Sequence, residues 1–324
     1  MYQGEYTGVI LAAGRGKRMF PFSEQYPKPM LPVCNKPVIQ HQIEVMRSLG
    51  ISKVVILVGH KGFHIARALG DGSRFGVSIR YVEQTLTLGI AHAVGCLEPY
   101  VTTPFLLFLG DIFFIPRKME AMFALLEQQG GGAVLGTKEE LDPAAIRLNY
   151  SVTLNPDGFV TRVIEKPRHT SNRMKGVGIY LFDLVIFDAI RRTPRTAMRD
   201  EYEITDSIQV LMGDAYPVRP ANSVSEDINL TAPADLLRCN MLQMQLMREK
   251  CLLGVNPTLH DRAHLDNCVV GDNVVVRHPI SIHNSVIFDN SCIDSTSNFT
   301  NCIVTPDNFV DCNLLTPRSS PVHA

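Results

Sequence analysis

The chain has 324 residues, 45% hydrophobic and 19% charged, with 31 Lys and Arg against 32 Asp and Glu. That length and apolar share allow a large core in one or two domains and exclude wholesale disorder. A net charge of −1 lacks the surplus of a nucleic-acid binder, and the longest apolar runs, 54–58 and 105–109, cannot span a bilayer, so neither partner is expected.

Residues 1–7 hold no basic segment followed by an apolar one, so no signal peptide is expected and a cytoplasmic setting is. The eight cysteines form no C-x-x-C pair and read as reduced core residues. A strand over 9–12 stops at Gly14. The spacing of Val38, Ile39, Ile43, Met46 and Leu49 predicts a helix over 37–49, opened by Pro37 and stopped by Gly50. A β-branched strand follows at 53–58, then a helix over 60–69, a strand at 78–82, and a helix over 89–97. A buried strand at 105–109 and a helix over 118–128 continue the rhythm. This alternation predicts an α/β fold with a mainly parallel sheet, whose ligands bind beyond the carboxyl ends of the strands.

A long helix is expected over 231–253, with Thr231 as cap, Pro233 in the first turn and Gly254 as stop. Beyond Pro257 the helical period disappears. Val270, Val276, Ile282 and Phe288 recur every six residues, with Val269, Val275 and Ile287 beside them. A six-residue period predicts a short parallel β-helix. The expected division is thus 1–254 and 255–324. Exposed strand edges in so short a β-helix favour self-association through the tail. His260 and His264 lie four apart in a loop and read as a surface pair.

Chemistry concentrates at the strand ends. The loop over 11–19, carrying Gly14, Gly16 and three cationic side chains, suits a phosphate. Met19 stands where a dinucleotide fingerprint needs its third glycine, and no G-K-[ST] follows, so it is neither that nor a Walker loop. Downstream, the prolines of Pro27-Lys28-Pro29-Met30-Leu31-Pro32-Val33 hold Lys28 in an extended course.

L-A-A-G-x-G-x-R-M, then P-K-P-M-L-P-V and the N-K-P of Asn35, Lys36 and Pro37, resemble the opening signature of the sugar-1-phosphate nucleotidyltransferases. The resemblance covers nearly all of 8–240 and implies a Rossmann-like nucleotidyltransferase domain, with the tail similar to the left-handed β-helix of many members. It implies nucleotide binding by Leu11, Ala13, Gly14 and Gly16, and catalytic cations at Arg18 and Lys28. Gln84 and Gly89, with the segment 88–93, resemble the part that reads a pyrimidine base. Asp111 and Asp227 resemble the metal-binding aspartates, which implies Mg²⁺. Glu165 and Lys166 of E-K-P, Gly178 and Tyr180 of G-I-Y, and Arg199 ahead of 203–206 resemble the sugar-phosphate site.

The implied reaction joins a nucleoside triphosphate, dTTP or UTP, to a sugar-1-phosphate. Its nucleophile is already an anion and needs no general base, which agrees with the absence of any Ser–His or Cys–His arrangement. Three departures stand out. Ser151 replaces the glycine of Tyr-Gly-Val, Ser225 replaces an aromatic residue, and Asn229 replaces a glycine. They leave the sugar open and motivate one alternative, a non-catalytic sugar-nucleotide-binding subunit; within the enzyme class the alternative is a guanylyltransferase acting on mannose-1-phosphate.

Overall fold

The structure is a computed structural model that describes residues 5–170, 172–197 and 199–314. The chain groups into two units, Met1–Arg15 with Ile39–Asp227, and Gly16–Val38 with Ile228–Ala324. This division differs from a single cut at 254, because 16–38 and the long helix group with the tail.

In the first unit Thr7–Ala12 is the central strand, paired in parallel with Lys53–Val58 on one side and Phe105–Leu109 on the other. Ser78–Glu83 extends the parallel set beyond Lys53–Val58. The run KVVILV is continuous because Val54 to Val58 are all buried between helical layers. Gly8 has its own reason: a Cβ there would lie 2.5 Å from the Met46 sulfur, so the lack of a side chain lets the Val38–Ser48 helix seat on the strand.

Beyond Phe105–Leu109 the sheet continues in a way the βα rhythm did not announce. Met174–Phe182 runs antiparallel to Phe105–Leu109, Ala133–Glu139 and Tyr150–Leu154. Val160–Glu165 and Val218–Asn222 complete nine strands. The expected helices start one or two residues late. The helix expected from 60 is Gly62–Leu69, because Lys61 takes φ 62° at its N-cap. The helix expected over 89–97 is Ile90–Gly95, with Gly89 at φ 109° before it.

In the second unit the helix expected over 231–253 is Pro233–Met247. Arg248 turns left-handed at φ 58° and ends it, and Cys251–Leu253 is already a strand. That strand is the first rung of the β-helix, so the β-helix begins before Gly254. Cys251–Leu253 pairs in parallel with Cys268–Val270, Thr258–Leu259 with Val275–Val276, and His264–Asp266 with Ser281–His283. Each coil takes 17 residues, as in Asn267 to Asn284, rather than three full hexads. The interior series is therefore Val270, Val276, Ile282 and then Ile287. Phe288, expected in that series, instead stacks on Phe22 at 5.7 Å.

The missing residue is absorbed at corners. Asn267, Asn284 and Asn301 all sit at positive φ, a conformation asparagine tolerates, and their amides form a ladder from coil to coil. At the far end Phe309–Asp311 pairs antiparallel with Cys302–Val304. The chain thus covers the end of this face itself, while Cys292–Ile293 and Phe299–Thr300 are the last described strands of the other two faces.

Segment 16–38 is fastened within the same unit. Asn240, with 0% exposure, accepts from the Cys34 N–H at 2.8 Å and donates to the Pro32 carbonyl at 3.0 Å. Asn35 donates to the Val270 carbonyl at 2.9 Å. Asn35 and Pro32 of the signature therefore hold the segment in place.

Candidate active site

In the first unit, the carboxyl ends of the parallel strands carry Leu11 with Ala13 and Gly14, Gln84 and Asp111, as the fold class requires. The Gly110 N–H donates to the Leu11 carbonyl at 2.9 Å, tying the turn that bears Asp111 to the start of the glycine loop. Gln42, on the Val38–Ser48 helix and 1% exposed, donates from one amide nitrogen to the carbonyls of Leu109 and Ile112, both at 2.9 Å. It clamps the turn from both sides. Sequence reasoning missed Gln42; its signal was a polar residue on the apolar stripe of a predicted helix.

Gln84 is 7% exposed, and its amide nitrogen lies 2.9 Å from His92 Nδ1. Gly89 is required by a close approach, since a Cβ there would meet the Tyr202 carbonyl oxygen at 2.4 Å. Two backbone hydrogen bonds, Tyr202 N–H to Leu88 O at 2.8 Å and Ala91 N–H to Tyr202 O at 3.0 Å, join the 88–91 loop to the segment bearing Arg199.

The E-K-P motif and Arg199 do meet. Arg199 donates to Glu203 Oε1 at 2.8 Å and to the Glu165 carbonyl at 3.3 Å. Lys166 Nζ lies 3.6 Å from Glu165 Oε1, with its side chain 49% exposed. Lys166 takes φ 43°, and its N–H donates to the Asn149 carbonyl at 2.7 Å. The motif ends its strand in a turn that presents the ammonium outward. Burial pushes the Glu165 carboxyl up to about 7, with Glu203 adding to the shift while Lys166 and Arg199 oppose it. Two cations thus gather beside a carboxyl that titrates near neutrality.

Gly178 and Tyr180 act from behind. A Cβ on Gly178, at φ 67°, would meet Ile112 Cδ1 at 2.3 Å, so glycine allows the bulge of Met174–Phe182 to pack under the Asp111 turn. Tyr180 is 1% exposed and stacks between Tyr150 and Phe182, with centroids 5.9 and 5.4 Å away. It supports the strand rather than lining a pocket.

Asp227, expected to hold metal, is in an ion pair. Both of its oxygens accept from Lys175 Nζ, at 2.8 and 2.9 Å. Nothing near Asp227 in the chain announces this partner, which lies 52 residues away on another strand. Among the described residues no group of three or more His, Cys, Asp or Glu side chains forms a metal cluster.

In the second unit Gly16, at φ 65°, lies against Lys28. A Cβ there would stand 2.7 Å from Lys28 Cγ, so glycine lets the lysine stem cross the loop. Arg18 is exposed on the short helical turn Lys17–Met19, held by the Met19 N–H to Gly16 O bond at 2.8 Å. The phosphate loop and the lysine of the proline-rich segment therefore meet. None of the described helices is long and apolar enough to cross a membrane.

The family description Nucleotidyl transferase matches residues 7–224. The low-salt glycan biosynthesis nucleotidyltransferase Agl11 of Haloferax volcanii is 33% identical over 261 residues, 80% of this chain and 71% of that protein. A UTP–glucose-1-phosphate uridylyltransferase of the same organism, AglF, is 34% identical over 63% of this chain and 82% of its own length. A glucose-1-phosphate thymidylyltransferase of Streptomyces antibioticus is 32% identical over 65% of this chain and 58% of its own length. Among solved structures, a glucose-1-phosphate thymidylyltransferase from Bacillus anthracis in complex with sucrose superposes with a TM-score of 0.65 at 26% identity, over 73% of this chain and 94% of that one. The ordered motifs, the strand-end site and these likenesses agree, and the chain belongs to the sugar-1-phosphate nucleotidyltransferase family.

Proposed function

We propose that this enzyme transfers a nucleoside monophosphate from a pyrimidine triphosphate, dTTP or UTP, to a sugar-1-phosphate. The observation that carries the reading is the meeting of Lys166 and Arg199 around Glu165, which builds an anion site from residues 33 positions apart in sequence. An oxygen of the sugar phosphate attacks the α-phosphorus. A new P–O bond forms, the bond from the α-phosphorus to the bridging oxygen breaks, and its electron pair leaves with pyrophosphate.

The chain's task is to hold two anions together and balance the added charge. Lys166 and Arg199 hold the sugar phosphate. Arg18 and Lys28 hold the triphosphate, with the backbone N–H groups of the glycine loop. Gln84 and Gly89 shape the base site, where the His92 contact sets which way the Gln84 amide points. A Gln84 amide offers a donor and an acceptor to a pyrimidine edge. The thymidylyl- and uridylyltransferase relatives favour this reading over guanylyl transfer or a non-catalytic subunit.

Members of this family generally use a divalent metal, and we take it to be Mg²⁺. Asp111 is partly exposed on a clamped turn at the strand ends, where the resemblance implies a metal ligand; both oxygens of Asp227 are held by Lys175. Mg²⁺ on the triphosphate supplies charge neutralisation at the phosphate oxygens. The test is pyrophosphate release over a panel of triphosphates and sugar-1-phosphates. Turnover with a pyrimidine triphosphate is expected. No turnover with any pair, alongside tight binding of a sugar nucleotide, would refute it.

A further inference from the structure

Lys175 belongs to neither substrate group above, yet it is among the most buried charges of the first unit. Its side chain is 4% exposed, and that of its partner Asp227 is 2% exposed. The ammonium lies 2.8 and 2.9 Å from the two Asp227 oxygens and 3.6 Å from Glu140 Oε2. Glu140 is held in turn, its Oε1 accepting from the Asp142 N–H at 3.1 Å. On the strand Met174–Phe182, Lys175 pairs in register with Lys138 on one side and with Ser151 on the other. Ser151 is one of the departures noted in the sequence, so two unusual residues stand side by side.

A divalent ion gripped by two aspartates needs a lone pair from each, at about 2.0–2.1 Å for magnesium. At Asp227 both oxygens already face one ammonium. A divalent ion entering there would also meet that positive charge at close range, in surroundings that screen it poorly. Continuing the strand pairing brings Asp227 toward Asp111. The Arg117 N–H donates to the Ser223 carbonyl and Ser225 Oγ to the Ile115 carbonyl, so the strand that carries Asp227 pairs with the one that follows Asp111. The ammonium thus occupies both oxygens of the aspartate that a two-aspartate grip would need.

We propose that Lys175 is a resident cation at Asp227, so that Asp227 is not a carboxylate for a divalent ion and the ion is bound chiefly with the triphosphate. The proposal rests on the nucleotidyltransferase reading. Asp227 then acts as a positioning residue, holding a fixed positive charge near the reacting phosphates.

Mn²⁺ titration followed by electron paramagnetic resonance tests this on the intact chain without turnover. The wild type alone should bind Mn²⁺ weakly. Lys175→Met should tighten that binding on the order of ten-fold or more, by freeing a carboxylate, and adding Asp227→Asn should cancel the gain. In the otherwise wild-type chain, with triphosphate present, Asp111→Asn should weaken Mn²⁺ binding and Asp227→Asn should not. That last comparison decides the matter even if Lys175→Met fails to fold. Equal weakening by the two aspartate variants, or unchanged affinity in a folded Lys175→Met protein, would overturn the proposal. Pyrophosphate release separates the two ideas: the expected Mn²⁺ pattern without turnover rejects the enzymatic reading alone, and turnover with an Asp227-dependent Mn²⁺ site rejects the resident cation alone.

Discussion

Glu165 is the group whose charge is most sensitive to its surroundings. It sits beside Lys166 and Arg199, and burial lifts its carboxyl from 4.5 to about 7. Ionised, it cancels part of the pull that the two cations exert on a phosphate. The affinity for sugar-1-phosphate should therefore fall as pH rises through about 7. In Glu165→Gln that component of the pH profile should vanish. The ligand's own phosphate titrates in both proteins, so their difference isolates Glu165. Stability follows the same sign. A carboxyl raised in the folded state favours folding below its ordinary value, and the benefit is lost as pH rises through the folded value. The melting temperature of the wild type should drop relative to Glu165→Gln between pH 4.5 and about 7. Equal slopes for the two proteins would show that Glu165 is not the titrating group. Lys166→Ala and Lys28→Ala should each lower the rate on the order of 10²–10³-fold, as loss of one preorganised charge does, measured by pyrophosphate release.

At the level of elements, strand ends supply the groups and neighbouring elements hold them. Gln42 shows this most directly, because one buried amide satisfies two carbonyls on either side of Asp111. Gln42→Leu keeps bulk but strands both carbonyls. It should destabilise the protein by about 1–3 kcal/mol in urea unfolding, the usual cost of an orphaned buried polar group. It should also lower kcat more than it raises the KM for either substrate, since the turn loosens while the binding groups stay. A variant with unchanged stability and kcat would show that the turn stands without the clamp. The 88–91 loop is bound to Tyr202 on both of its backbone faces. Gln84→Ala should relax selection among triphosphates and leave sugar preference intact; unchanged selectivity would make the Gln84–His92 contact purely architectural.

For the whole molecule, the tail is more than an appendage. Within the second unit the Phe22–Tyr26 region rests on Phe288, Asn35 on Val270, and Cys34 with Pro32 on Asn240. The segment that carries Lys28 is therefore supported by helix and β-helix together. Removing everything after Gly254 deletes Val270 and Phe288. It should expose 16–38 to proteolysis and reduce pyrophosphate release by at least an order of magnitude, through loss of preorganisation at one cationic group. Full activity in the truncated chain, with 16–38 still protected, would show that Asn240 and the helix suffice.

The sequence by itself determined the parallel strands, the glycine loop and the order of the motifs. These rest on local rules: β-branched runs bury, glycine and proline punctuate, and phosphate loops need small residues. It also announced a β-helix through its six-residue period. Only the tertiary structure decided that a coil takes 17 residues, with the short side at the corners of Asn267, Asn284 and Asn301, which moves Phe288 out of the interior series. The antiparallel half of the sheet was not legible, since the direction of Met174–Phe182 depends on partners distant in sequence. The fate of Asp227 was hidden for the same reason. An aspartate in a motif reads as a ligand, and the buried Lys175 that holds both its oxygens is brought there by the pairing of strands.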